Sequence, residues 1–85
     1  MVVIRNVIWT EKFERELKKI KDKALKERVK KQVQKILEKP EAGKTLKFEL
    51  MGERSLYISP YQLIYAVKGD TLYLLRFEHR KIVYR

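Results

Sequence analysis

The spacing of apolar positions along this chain changes period twice, and each change marks a boundary between elements. Val2, Val3, Ile4, Val7, Ile8 and Trp9 make a β-branched, apolar opening, which predicts a first strand over residues 2–9. Thr10 can act as a helix N-cap, with Glu11 favourably placed in the first turn after it. Phe13, Leu17 and Ile20 then recur at helical spacing, so a helix is expected from Glu11 to about Ile20. Asp22 can cap a second helix whose stripe is Leu25, Val29, Val33, Ile36 and Leu37, and Pro40 stops it.

From Thr45 onward the period becomes two. Leu46, Phe48 and Leu50 alternate with Lys47 and Glu49. Gly52 marks a turn, and residues 55–59 and 61–67 read as strands on either side of Pro60, which must lie at an edge, bulge or bend. Alternation places Leu56 and Ile58 on one face and Ser55, Tyr57 and Ser59 on the other. Gly69-Asp70 is a hairpin signal before a last strand over residues 71–77. The expected fold is α+β: an N-terminal strand, then an antiparallel helical hairpin packed on a twisted, mainly antiparallel sheet of about four to five strands.

Composition narrows the picture. Eighty-five residues without a linker, repeat or low-complexity segment are expected to form a single domain over residues 1–85. A chain this short buries only about 60% of its unfolded surface, so its core is thin. Without cysteine there is no disulfide and no thiolate metal site. No apolar run approaches the roughly 18 residues of a membrane span. With no secretion signal either, the expected location is the cytoplasm. The net charge is +10, from 21 Lys and Arg against 11 Asp and Glu. Such a field attracts nucleic acid or acidic protein more readily than it serves mere solubility.

The chemistry gathers at the end. His79, Arg80, Lys81, Tyr84 and Arg85 crowd a short tail after the strand Leu72-Tyr-Leu-Leu-Arg76. These side chains can hold a phosphate and move a proton. The tail His79-Arg-Lys-Ile-Val-Tyr84, the strand Tyr61-Gln-Leu-Ile-Tyr65 and the turn Pro40-Glu-Ala-Gly-Lys44-Thr-Leu46 stand in an order and spacing that resemble the RelE/ParE superfamily of toxin–antitoxin toxins. The resemblance spans nearly the whole chain and implies a RelE-like fold.

The resemblance also implies a metal-independent, cofactor-free endoribonuclease that cleaves messenger RNA on the ribosome. In that reaction a 2′-hydroxyl attacks the adjacent phosphate and leaves a 2′,3′-cyclic phosphate. The chemistry needs a base near the 2′-oxygen, cations on the phosphorane and a proton donor to the leaving 5′-oxygen. Arg80 matches the family's tail arginine, whose planar fork suits phosphate. Tyr84 matches the final tyrosine, as acid, base or stacking surface. His79 is the third catalytic candidate, since imidazole is the side chain best suited to exchange a proton near neutral pH, although a lone histidine at a strand end is more often a hydrogen-bonding residue. Lys44, Lys47, Arg54, Gln62, Arg76, Lys81 and Arg85 are the expected RNA contacts, phosphate contacts serving to position rather than to specify. The implied partners are the ribosome, messenger RNA and a cognate acidic, RelB-like antitoxin.

Three departures weaken the site. Gln62 stands where nuclease members usually carry an arginine, and Ser55 and Tyr57 stand at positions that are often basic. Arg54 or Arg76 could compensate. Two alternatives stay open: a ParE-like toxin that binds DNA gyrase and cuts nothing, and a catalytically weak relative that binds RNA or an acidic peptide. Leu75-Arg76 is shared with ParE-like chains, whereas the Val83-Tyr84 ending favours RelE.

Overall fold

The computed structural model describes residues 3–45 and 52–79. Strand β1 spans Asn6–Trp9, helix α1 Glu11–Lys18 and helix α2 Lys23–Glu38. A 3-10 turn over Pro40–Ala42 leads into β2, Lys44–Thr45. Strands β3, Glu53–Ile58, β4, Tyr61–Lys68, and β5, Thr71–His79, complete a five-stranded sheet in the order β1-β5-β4-β3-β2. Pairing is antiparallel except between β1 and β5, which run parallel. The expected α+β architecture is therefore the observed one. The alternation expected at Leu46, Phe48 and Leu50 lies outside the described residues.

Local chemistry sets the helix ends. The Thr10 hydroxyl accepts a hydrogen bond from the Phe13 amide at 3.3 Å. It also donates to the Leu74 carbonyl at 2.6 Å, so one side chain both caps α1 and fastens it to β5. Helix α1 ends at Lys18 rather than at Ile20. The Lys19 and Ile20 amides bond three residues back, to Glu16 and Leu17 at 3.3 and 3.1 Å, a tightened last turn. That turn still delivers Ile20 to the core. Asp22 caps α2 through the Ala24 and Leu25 amides at 2.9 and 3.3 Å. Strand β1 begins at Asn6 instead of Val2, opposite Thr71, where β5 itself begins. Before it, the Arg5 and Asn6 amides both bond the Asp70 carbonyl of the β4–β5 turn.

The helices cover one face of the sheet. Phe13, Ile20, Leu25, Val29, Val33 and Ile36 meet Ile58, Leu63, Tyr65, Leu72, Leu74 and Phe77. An aromatic row runs through this layer from Trp9 to Phe13, Phe77, Tyr61 and His79, with neighbouring centroids 4.9 to 5.9 Å apart. Leu56 packs on the same core while Tyr57 is exposed, as alternation required. A bulge between Ile64 and Tyr65 of β4, against Arg76 and Leu74 of β5, takes up Leu75 as the extra residue.

Candidate functional site on the face away from the helices

Strand register places three rows of side chains on the face opposite the helices. One row is Ser55, Ile64 and Arg76. The next is Tyr57, Gln62 and Glu78. The third is Glu53, Ala66 and Tyr73. Lys44, exposed on β2, stands beside Ser55 at the sheet edge. Of the residues singled out from sequence, this face thus gathers Gln62, Arg76 and Lys44.

Arg76 is already engaged. Its Nη2 lies 2.9 Å from Glu53 Oε1, and its Nε lies 3.6 Å from Glu78 Oε1. The Arg76 and Glu53 side chains are each 23% exposed. Their pair reaches from β5 to β3 across β4, where Ile64 and Ala66 are buried. Arg76 therefore does not offer a bare cation in place of the missing arginine at Gln62. Glu53 and Glu78 were not anticipated as its partners. Residues two apart on one strand share a face, which could have revealed Glu78; the Glu53 contact crosses a strand and depends on register.

Arg54 is engaged as well. It pairs with Tyr65, on the helix-side face, and its Nη1 donates to the Gly43 carbonyl at 2.8 Å and the Glu41 carbonyl at 3.4 Å. It pins the turn before β2 and does not share a face with Gln62. His79 ends β5 opposite Tyr61, likewise on the helix side, with its ring edge-on to Tyr61 at 5.2 Å. Arg80, Lys81, Tyr84, Arg85 and Lys47 lie outside the described residues.

Tyr65 completes the fixation of the same turn. Its hydroxyl donates to the Pro40 carbonyl at 2.7 Å and accepts from the Gly43 amide at 2.9 Å. Burial raises the phenol above its ordinary pKa, a rise that Glu41 reinforces and that the Gly43 hydrogen bond and Arg54 oppose. Gly43 leaves no room for a side chain: a Cβ there would lie 2.7 Å from the Ser55 carbonyl oxygen and 2.9 Å from the Tyr65 hydroxyl. Tyr65→Phe should cost about 1–3 kcal/mol, because the Gly43 amide loses its acceptor in a buried place. Urea unfolding measures this. The raised pKa adds a sign. A raised acid pKa means that folding favours the neutral phenol. That contribution is complete below about pH 10, where an unfolded tyrosine ionises, and is lost as pH rises through the higher folded value. The Tyr65→Phe protein should therefore lose less stability than the parent above pH 10.

Among the described residues no group of three or more His, Cys, Asp or Glu could hold a metal ion, and no helix is long and apolar enough to cross a membrane.

A helical hairpin over one face of a five-stranded sheet, with charged and polar side chains flanking Ile64 and Ala66 on the other, is the architecture of small toxins from toxin–antitoxin systems. The chain matches the family described as ParE toxin of type II toxin–antitoxin systems over residues 7–84. It belongs to that family, within the RelE/ParE superfamily of type II toxins. The structure resembles the toxin–antitoxin complex RelBE2 from Mycobacterium tuberculosis, with 30% identity over 92% of this chain and 100% of that one, at a TM-score of 0.76. It also resembles the YoeB/ParE toxin from Agrobacterium tumefaciens, with 20% identity, 88% and 98% coverage and a TM-score of 0.77. The RelB–RelE complex from Methanococcus jannaschii aligns with 22% identity, 91% and 94% coverage and a TM-score of 0.73. No curated protein sequence matches the chain.

Proposed function

We propose that this toxin is a metal-independent, ribosome-associated endoribonuclease that blocks translation in the cytoplasm by cutting messenger RNA. The observation that carries this reading is where β5 ends. Its last residue, His79, pairs with Tyr61, one position along from the Gln62–Glu78 pair, and Arg80 comes directly after it in the sequence. The tail that holds Arg80, Lys81, Tyr84 and Arg85 thus starts at the end of the row containing Gln62.

In this reading Arg80 stabilises the phosphorane, and Tyr84 transfers a proton or stacks on a base. Lys44, Lys47, Lys81 and Arg85 hold backbone phosphates. Gln62 contributes a hydrogen bond without charge. His79, set edge-on against Tyr61, orients the strand end that precedes Arg80. Expression in a host with a translation readout, together with cleavage of messenger RNA on purified ribosomes, tests the reading.

Gln62→Arg should raise cleavage by a factor of about 10 or more, since one well-aimed donor in comparable sites is worth about 10²–10³ and an arginine here stands opposite Glu78. The gain should grow when Glu78→Gln is added. Unchanged or reduced cleavage by a folded Gln62→Arg protein would remove Gln62 from the site.

The restraining partner in this proposal is an acidic antitoxin. The M. tuberculosis and M. jannaschii relatives are toxin–antitoxin complexes, and the charge of +10 favours an acidic segment. A cavity of about 370 Å³ lined by Trp9, Leu17 and Val29, with Lys18, Lys26 and Lys30 outnumbering Glu14, suits such a segment with apolar anchors.

A gyrase-binding reading has its own support. The matched family is the ParE family, and Arg76 is held by two carboxylates beside an uncharged Gln62. Gyrase supercoiling inhibited by the toxin, with messenger RNA left intact on ribosomes, would decide for it.

A further inference from the structure

We infer that Arg76 is a masked phosphate-binding site for single-stranded RNA, with Glu53 and Glu78 as its mask. The inference rests on the nucleolytic reading of this toxin and extends it to residues outside the tail.

Arg76 sits on the face away from the helices, in the row next to that of Gln62. Its guanidinium presents the planar fork that phosphate oxygens accept in pairs. Glu53 takes Nη2 and Glu78 approaches Nε, so the Nε–Nη2 edge of the fork faces carboxylates. The three side chains are 23–31% exposed. They are shielded enough for the pair to form, yet open enough for a ligand to reach it. Two carboxylates around one guanidinium leave the triad with a net negative charge. To bind on that edge phosphate must displace at least one carboxylate, and it meets repulsion from the other.

A cleft of about 300 Å³ opens at the Glu53 end of the triad, lined by Glu53, Ala66, Lys68 and Tyr73 among others. Tyr73 offers a ring on which a base can stack, and Lys68 a second cation for the backbone. A phosphate on Arg76 with its neighbouring base against Tyr73 fits the register, since Tyr73 and Arg76 lie on the same face of β5. The mask lowers affinity for free RNA. Messenger RNA held on the ribosome is presented at high local concentration and can compete where free RNA does not.

The test is binding of a fluorescently labelled single-stranded RNA oligonucleotide, read by anisotropy over a range of salt. Glu53→Gln should tighten binding about tenfold at fixed salt, and the log–log salt slope should steepen by about 0.7, the signature of one added phosphate contact on a single strand. Glu38→Gln, which adds the same charge at the exposed end of α2, should change affinity far less. Adding Arg76→Gln to Glu53→Gln should cancel the gain. If Glu53→Gln does not fold, Glu78→Gln carries the same expectation with a smaller gain, because its contact is longer.

A purely structural ion pair gives another pattern: lower melting in Glu53→Gln, with RNA binding no tighter than in Glu38→Gln. That pattern, or RNA binding by none of the proteins, overturns the proposal. Tightened binding that depends on Arg76, without cleavage on ribosomes by any variant, upholds the masked site and sinks the nucleolytic reading. Ribosomal cleavage by the parent with no gain from unmasking does the reverse.

Discussion

Arg80→Ala should reduce messenger RNA cleavage on ribosomes by about 10²–10³, the usual loss when one preorganised donor to a developing oxyanion is removed. The charge on a phosphorane oxygen exists only near the transition state, so the loss should fall on the cleavage rate more than on ribosome binding. Arg80→Lys should recover part of the rate, since an ammonium supplies charge but not the bidentate fork. Lost cleavage with nearly unchanged melting is the pattern expected of a side chain that acts on RNA rather than on the fold. Tyr84 separates two roles. Equal losses in Tyr84→Phe and Tyr84→Ala mean that the hydroxyl moves a proton, and a milder Tyr84→Phe means stacking. A chain ending at His79 that still arrests translation like the parent would eliminate Arg80 and Tyr84 together.

Phe13→Ala should destabilise the protein by about 3–5 kcal/mol, the range for deleting a buried aromatic ring. Phe13 is fully buried and stands between Trp9 at 5.7 Å and Phe77 at 5.9 Å, where it joins α1 to β1 and β5. Small domains hold a total of about 5–15 kcal/mol, so this one side chain carries much of the margin. At about 4–8 °C per kcal/mol for a domain of 60–100 residues, the melting temperature should fall by at least roughly 12 °C. Phe13→Leu, which keeps most of the volume, should cost less than about 1.5 kcal/mol. Urea unfolding reads both. A loss under about 1 kcal/mol in Phe13→Ala, well below the range for such deletions, would mean that the α1–β5 contact does not hold the fold.

Most of the fold was legible because its signals are local. The caps at Thr10 and Asp22, the stop at Pro40 and the turn at Gly69 act over three or four residues, and each appeared where its side-chain chemistry required. The ends that shifted depend on distant partners. Strand β1 starts where β5 offers a mate, and α1 tightens where the chain turns to bring Ile20 into the core. The candidate site was less legible. Gln62, Arg76 and Lys44 share a face, but Arg54 looks equally basic in sequence and is spent on the carbonyls of Glu41 and Gly43. His79 likewise faces the aromatic layer and not Gln62.

The sequence by itself determined the element order, the helical hairpin, the strand alternation and the charge of +10, and its motifs pointed to the RelE/ParE superfamily. These are properties of neighbouring residues and of composition, and need no knowledge of the partner strand. The tertiary structure decided which cations are available. An arginine's fork can bind phosphate, carboxylate or carbonyl, and the choice belongs to whatever oxygen the fold brings within about 3 Å. Register across β4 set Glu53 against Arg76, and the turn before β2 set Gly43 against Arg54. Those pairings join residues 11 and 23 positions apart, a separation that no local pattern in the chain encodes.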